Sequence, residues 1–222
     1  AAWAKFADTE YAENLREVYA EAEPYTKEGI FFFEQVTGHL IPDVRFAIKH
    51  GVRAMIDSIK DKSGDGYKAF TIALECAVIL ANRYADMAAE QKKTASPESH
   101  EQREIMERTL RKVPAHGSDD LYEAIQSFKK VWQIMCLEQT PNPFAFSVGN
   151  ADRIFEPYRN GLDRDTTAAL LKHFLVFFNV ADRSWAISQN IIISGRDIDG
   201  NDLTNPTTYA LMDAYFDMKL PP

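Results

Sequence analysis

Apolar residues recur along most of this chain at three- and four-residue steps, the period of helices with one buried face. Tyr11, Leu15, Val18 and Tyr19 keep that spacing among acidic residues over 8–23, with Asp8 or Thr9 as the opening cap and Pro24 as the stop. Residues 29–33 are apolar and aromatic, and the loop that follows ends at Asp43, placed to cap a helix over 44–60. Phe46, Ile48, Val52, Met55, Ile56 and Ile59 form its expected buried stripe. A polar turn over 62–66 leads into a helix over 67–92 whose first half is so rich in Ala, Leu, Ile and Val that burial on more than one side is expected. Ser96 and Pro97 open a strongly charged, surface-type helix over 98–111, broken by residues 114–117. Asp119 or Asp120 opens an apolar helix over 121–137, which ends in the proline-rich stretch 139–143.

Residues 144–148 then read as a short strand, 151–158 and 166–181 as helices, and the β-branched run 191–193 as a buried strand. A turn over 199–202 and a last helix over 206–218 complete the pattern. The fold class is therefore mainly α, roughly seven or eight helices with two or three short strands. Strands this few cannot close a barrel, so the chain reads as a helical domain or as a helical slice of something larger.

Composition narrows the functional classes. With 222 residues, 45% of them hydrophobic and 26% charged, a sizeable core is possible. Lys+Arg number 25 against 33 Asp+Glu, a net charge of −8 without a basic cluster, which argues against a nucleic-acid partner. No apolar run reaches the roughly 18 to 20 residues that cross a bilayer, and residues 1–5 lack the layout of a signal peptide. A cytoplasmic setting without membrane contact is the resulting expectation.

Few residues suggest chemistry by themselves. Asp197, Asp199, Gly200, Asn201 and Asp202 crowd oxygen atoms around a turn, but Gly200 falls fourth from Asp197, whereas a calcium loop needs its glycine sixth and a glutamate twelfth. A hairpin turn is the better reading. Cys136 stands two residues before Glu138 inside an apolar helical pattern, where residues two apart diverge, so it reads as a structural thiol. The five histidines are dispersed and, with Cys76 and Cys136, make no metal spacing. His39, after a glycine in a loop, has two readings, a structural hydrogen bond, which is favoured, and a ligand contact. Phosphate-cradling and nucleophile-elbow motifs are absent.

Five strings in order carry a resemblance. They are residues 37–43 (TGHLIPD) with Gly51 after them, 81–88 (ANRYADMA), Val113-Pro114-Ala115 leading to 121–127 (LYEAIQS), and 147–152 (SVGNAD) with Pro157 and Tyr158. The last runs from Gln189, Asn190 and Ile191 through Gly195, Asp199, Gly200 and Asn205 to Leu220 and Pro221. Together they resemble the N-terminal part of the glycyl radical enzymes, the family of pyruvate formate-lyases, glycerol and diol dehydratases and choline lyases.

The resemblance implies a partial piece of a ten-stranded α/β barrel wrapped by helices, with residues 1–222 a single incomplete domain. In that family a glycyl radical, installed by a separate activase, takes hydrogen from a cysteine whose thiyl radical attacks the substrate. The family's Arg-Val-x-Gly-Tyr and Gly-Cys-x-Glu loops have no match here: Gly66-Tyr67 lacks the arginine and Cys136 follows Met135. Catalytic residues, a metal and a bound cofactor are therefore not expected within these residues. Phe144 and Ala145 stand where glycerol-type dehydratases present a histidine and a serine, and Asn150 replaces an arginine, which argues against a small polyol substrate. Phe144, Ala145, Phe146 and His39 are the expected substrate-binding residues, with packing in the core as the equal alternative for Phe144 and Phe146. Partners implied are a small-molecule substrate, the activase and possible further copies of the chain. The alternative reading is a self-sufficient helical interaction module derived from the family.

Overall fold

The computed structural model describes residues 7–30, 40–138, 146–179 and 190–219. The chain divides into two compact units, Ala1–Thr37 and Gly38–Pro222. In the first, α1 (Glu10–Lys27) opens at Thr9, whose hydroxyl accepts from Ala12 N at 3.3 Å, with Glu10 and Glu13 near the positive end of its dipole. Pro24 does not stop this helix, contrary to expectation. So close to the end it removes a single backbone donor, and its own carbonyl still accepts from Glu28 N at 3.0 Å.

In the second unit the expected helix over 44–60 is two helices, α2 (Val44–His50) and α3 (Val52–Ile59), separated by Gly51 at φ 83°. Asp43 caps the first through Arg45 N at 3.2 Å. A facing turn explains the break. Val52 N and Arg53 N, orphan donors of the first turn of α3, bond to Pro114 O at 2.8 Å and Ala115 O at 3.0 Å, while Ser118 N reaches back to Ile48 O at 2.9 Å. Of the expected stripe only Ile48 and Val52 are buried; Phe46 is exposed.

Helix α4 (Asp65–Lys92) lies along α5 (Pro97–Lys112), which Ser96 caps. The small residues Ala77, Ala81, Ala85 and Ala88 let the two helices approach, and Arg111 on α5 reaches Asp86 on α4 at 2.6 Å. Burial of α4 on more than one side is not observed. Ile72, Ile79 and Met87, 65%, 54% and 55% exposed, project opposite the alanine face. The sequence pattern was two-faced, and the described residues cover one face only.

Helix α6 (Leu121–Glu138) is the centre of the unit. Asp120 caps it through Glu123 N at 2.8 Å. Leu121, Ala124, Ile125, Phe128 and Trp132 enter a large core with α2, α7 (Ala151–Phe155), α8 (Arg164–Asn179) and α9 (Pro206–Met218); Val131 and Ile134 turn to a smaller one with Val52, Ala77, Val78 and Ala115. Rings of Phe128, Trp132, Phe155, Phe174 and Phe178 interlock, with centroids from 5.1 to 6.3 Å apart in tilted, edge-on and stacked pairs. Each such buried ring is worth about 1.5–3 kcal/mol of transfer free energy. Arg164 and Lys172 on α8 stitch that helix to Asp213 and Asp217 on α9.

Two polar side chains of α6 are out of place in this packing. Ser127 is fully buried and its hydroxyl finds no partner among the described residues. Ser127→Ala is therefore expected to leave stability unchanged or raise it by up to about 1 kcal/mol in urea unfolding, since it removes an unmet polar atom. Lys130, 5% exposed, sits over the Tyr84 ring at 3.6 Å, with Gln133 Oε1 at 3.3 Å. Burial, then the neighbouring charge of Lys129, pushes its amine down to about 8. Between that value and the unfolded-state value of 10.5 the unfolded chain holds more protons, so stability should rise with pH across this window; below about 8 the penalty is fully present. Lys130→Met should raise stability at pH 7 by about 1–3 kcal/mol and flatten this rise, as read from unfolding midpoints at pH 7, 8.5 and 10.

Candidate functional site

Three extended segments run side by side and in parallel next to the helices. Leu40 bridges Phe146, with Ser147 N donating to Leu40 O at 2.9 Å, and β1 (Gly149–Asn150) pairs with β2 (Ile191–Ile192) in the register Gly149 to Ile191 and Asn150 to Ile192. Ser147 Oγ accepts from Asn190 N at 3.2 Å, which brings β2 into line. The helix side of this small sheet takes Phe146 and Val148, packed in the large core with Ile191 and Ile193 against it. Trp132 on α6 fixes the arrangement by donating its indole N–H to Phe146 O at 2.8 Å. On strand alternation Ile192, 45% exposed, points away from the helices. Ile41, also exposed, lies over Gly149, where a Cβ would come within 2.8 Å of its Cγ2.

The ends of both strands are tied by one carboxylate. Asp152, fully buried, accepts from Arg153 N at 2.8 Å with one oxygen. Its other oxygen takes Ser194 N and the Thr208 hydroxyl, each at 2.6 Å. Thus the start of α7 just after β1, the loop that follows β2 and the first turn of α9 meet at a single group. Glu156, in the short 3-10 turn Glu156–Tyr158, adds a second carboxylate at the same helix start, accepting from Thr207 N at 2.9 Å and its hydroxyl at 2.6 Å. Asn205 caps α9 through a reciprocal pair with Thr208.

Of the residues expected to bind substrate, Phe146 is 5% exposed and belongs to the helix-side core; His39, Phe144 and Ala145 lie outside the described residues. The network of Asp152, Glu156, Thr207 and Thr208 was not foreseen as functional architecture. Its visible signals were Asp152 at the end of a family string and a cap-like Asn-Pro-Thr-Thr run at 205–208. The turn at Asp197 is a hairpin: its carboxylate accepts from Asp199 N, Asn201 N and the Asn201 amide at 2.8–2.9 Å, which, with Asn201 foremost, holds its pKa below the usual range. Burial pushes the Cys136 thiol up to about 12, which leaves no reactive thiolate at neutral pH. Among the described residues, no group of three or more His, Cys, Asp or Glu could hold a metal ion, and no helix is long and apolar enough to cross a membrane.

This architecture has known counterparts. The chain is 28% identical over 174 residues to trans-4-hydroxy-L-proline dehydratase of Clostridioides difficile, covering 69% of this chain and 22% of that protein. The B12-independent glycerol dehydratase of Clostridium butyricum superposes with a TM-score of 0.73 at 23% identity, over 83% of this chain and 27% of the dehydratase. A glycyl radical enzyme from Archaeoglobus fulgidus matches with a TM-score of 0.77 at 20% identity, over 100% of this chain and 34% of its own. This chain therefore spans about a fifth to a third of the length of these relatives, and its helices and short strands are a partial piece of their barrel fold. The pyruvate formate lyase-like family model matches residues 5–222, and the chain belongs to that family.

Proposed function

We propose that this polypeptide is part of a glycyl radical dehydratase, supplying helical shell and the first parallel strands of its barrel, and that it performs no chemistry without the rest. The carrying observation is the β1·β2 pair: two residues per strand, parallel, extended among the described residues only by the single Leu40–Phe146 bridge. Parallel strands occur in sheets covered on both faces, and a two-stranded pair this short is not stable by itself. The exposed stripe of α4 and Phe216 on α9, 67% exposed, support the same reading, since a larger barrel or a second subunit would cover them.

In the intact enzyme a radical glycine, installed by a separate activase, would pass its hydrogen deficit to a cysteine and thence to the substrate. Neither loop has a counterpart among these 222 residues. The substrate is a small hydroxylated molecule, as for the hydroxyproline and glycerol dehydratases. Phe144 and Ala145, with His39, would form its less polar wall, which disfavours glycerol itself. The setting is the cytoplasm of an anaerobe, because a backbone radical is destroyed by oxygen.

The test has two arms. The complete gene product, treated anaerobically with its activase, should show a glycyl radical by electron paramagnetic resonance and eliminate water from a hydroxylated substrate. The 222-residue chain should turn over none of trans-4-hydroxyproline, glycerol or propane-1,2-diol; turnover by that chain alone would refute the proposal. Alone it is also expected to self-associate and bind an apolar dye, and a clean monomer without dye binding in light scattering would favour the self-sufficient module.

A further inference from the structure

Helices α5, α6 and α8 line a cleft, open to solvent on one side, with a cavity volume of about 690 Å³ that the dehydratase reading does not use. Its size is that of small-ligand sites, roughly 300–1,000 Å³. Phe128, Trp132, Phe174 and Phe178, all nearly buried, make an aromatic floor. The charged groups along the wall are Arg108, Lys129 and Asp120, with His173 beside them, so a chain of net charge −8 is locally cationic here. Asp120 is engaged in capping α6. Lys129 Nζ lies 3.3 Å from the centroid of the Phe177 ring, and among the described residues neither Lys129 nor Arg108 is paired with a carboxylate. A half-buried ammonium held against a ring, without a counter-ion, is an incomplete electrostatic arrangement. Burial lowers the pKa of Lys129, as expected for an ammonium that has lost water and gained no anion.

We propose that this cavity binds a small hydrophobic monocarboxylate, its apolar body on the aromatic floor and its carboxylate on Lys129. A polyol or sugar fits poorly because the floor offers it no hydrogen bonds, and an apolar cation is repelled by Lys129 and Arg108. The inference stands independently of the dehydratase proposal, since its readout is binding and not turnover.

The probe is decanoate below its micellar concentration, titrated calorimetrically into the complete gene product beside decanol and decyltrimethylammonium. Decanoate should bind with one site per chain, at least about tenfold more tightly than either analogue. Lys129→Met, which keeps the apolar stem, should weaken decanoate about tenfold and leave decanol unchanged, whereas Lys129→Arg should retain the preference. Should Lys129→Met fail to fold, Gln126→Glu is the second variant. It places a carboxylate one turn from Lys129 on α6 and should weaken decanoate by a similar factor. Equal affinity for decanoate and decanol, or decanoate binding indifferent to Lys129→Met and Gln126→Glu, overturns the proposal. So does no decanoate binding at all, which would leave the cavity as a seat for an apolar protein segment.

Discussion

Gly51→Ala is expected to destabilise the chain by about 3–5 kcal/mol, or to prevent its folding at 37 °C. Two costs act together at this position. The residue holds φ 83°, a conformation that costs an L side chain about 1–2 kcal/mol. The new methyl would also stand 2.4 Å from both Ala115 O and His116 Cα, backbone atoms that cannot rotate away. Relief requires the 113–118 turn to retreat, and that breaks the bonds from Val52 N and Arg53 N to Pro114 O and Ala115 O. Gly117→Ala should behave alike, because its Cβ would lie 2.3 Å from Lys49 O on the other side of the same contact. Gly66→Ala is the control: it lies inside α4, nothing stands within 4 Å of the added carbon, and a gain of up to about 1 kcal/mol is expected. Urea unfolding followed by circular dichroism ranks the three. A loss below about 1 kcal/mol for Gly51→Ala would show that the backbone contact is not tight.

This contact also shows what the sequence could and could not disclose. Helix periodicity located α4, α5, α6, α8 and α9, and the cap residues Ser96, Asp120 and Asn205 mark the starts of α5, α6 and α9. It merged α2 with α3, since a lone glycine inside an apolar stripe is compatible with an unbroken helix. The reason for the break lies more than sixty residues away, in a turn that periodicity cannot see. Family strings supplied part of that missing long-range information. The string ending at Gly51 meets the Val113-Pro114-Ala115 string, and the 147–152 string meets the one from Gln189, as backbone partners. Burial of α4 was overread for the opposite reason: apolar residues on two faces mark two contacts, and the described residues supply one of them. Of the substrate wall expected at His39, Phe144, Ala145 and Phe146, only Phe146 lies among the described residues, and the network around Asp152 had no functional reading from the sequence. Phe146 illustrates the limit, because an aromatic residue in a short strand can face a lumen or a helix layer, and only the core around Trp132 and Phe128 places it.

Asp152→Ala should cost about 3–5 kcal/mol, with a pattern that separates it from an ordinary core defect. The substitution leaves two strong donors without an acceptor, the buried Thr208 hydroxyl and the part-buried Ser194 N. Hydrogen bonds to an ionised acceptor are worth about 1.5–3 kcal/mol each, so losing two outweighs any gain from no longer burying a charge. Asp152→Asn separates charge from shape. Its one carbonyl oxygen can still serve Ser194 and Thr208, but its amide then faces Arg153 N, donor against donor, and a loss of about 2 kcal/mol is expected. Because Asp152 joins β1, the loop after β2 and the start of α9, the damage should appear in hydrogen exchange as faster amides at Ile191–Ser194 and in the first turn of α9, with α4 and α5 unaffected. Thr208→Val removes one of the donors together with the acceptor for Asn205 N, and combined with Asp152→Ala it should cost less than the sum of the two. Additive losses, or protection at Ser194 unchanged in Asp152→Ala, would mean that the strand ends are held by packing of Ile191 and Ile193 and not by this carboxylate.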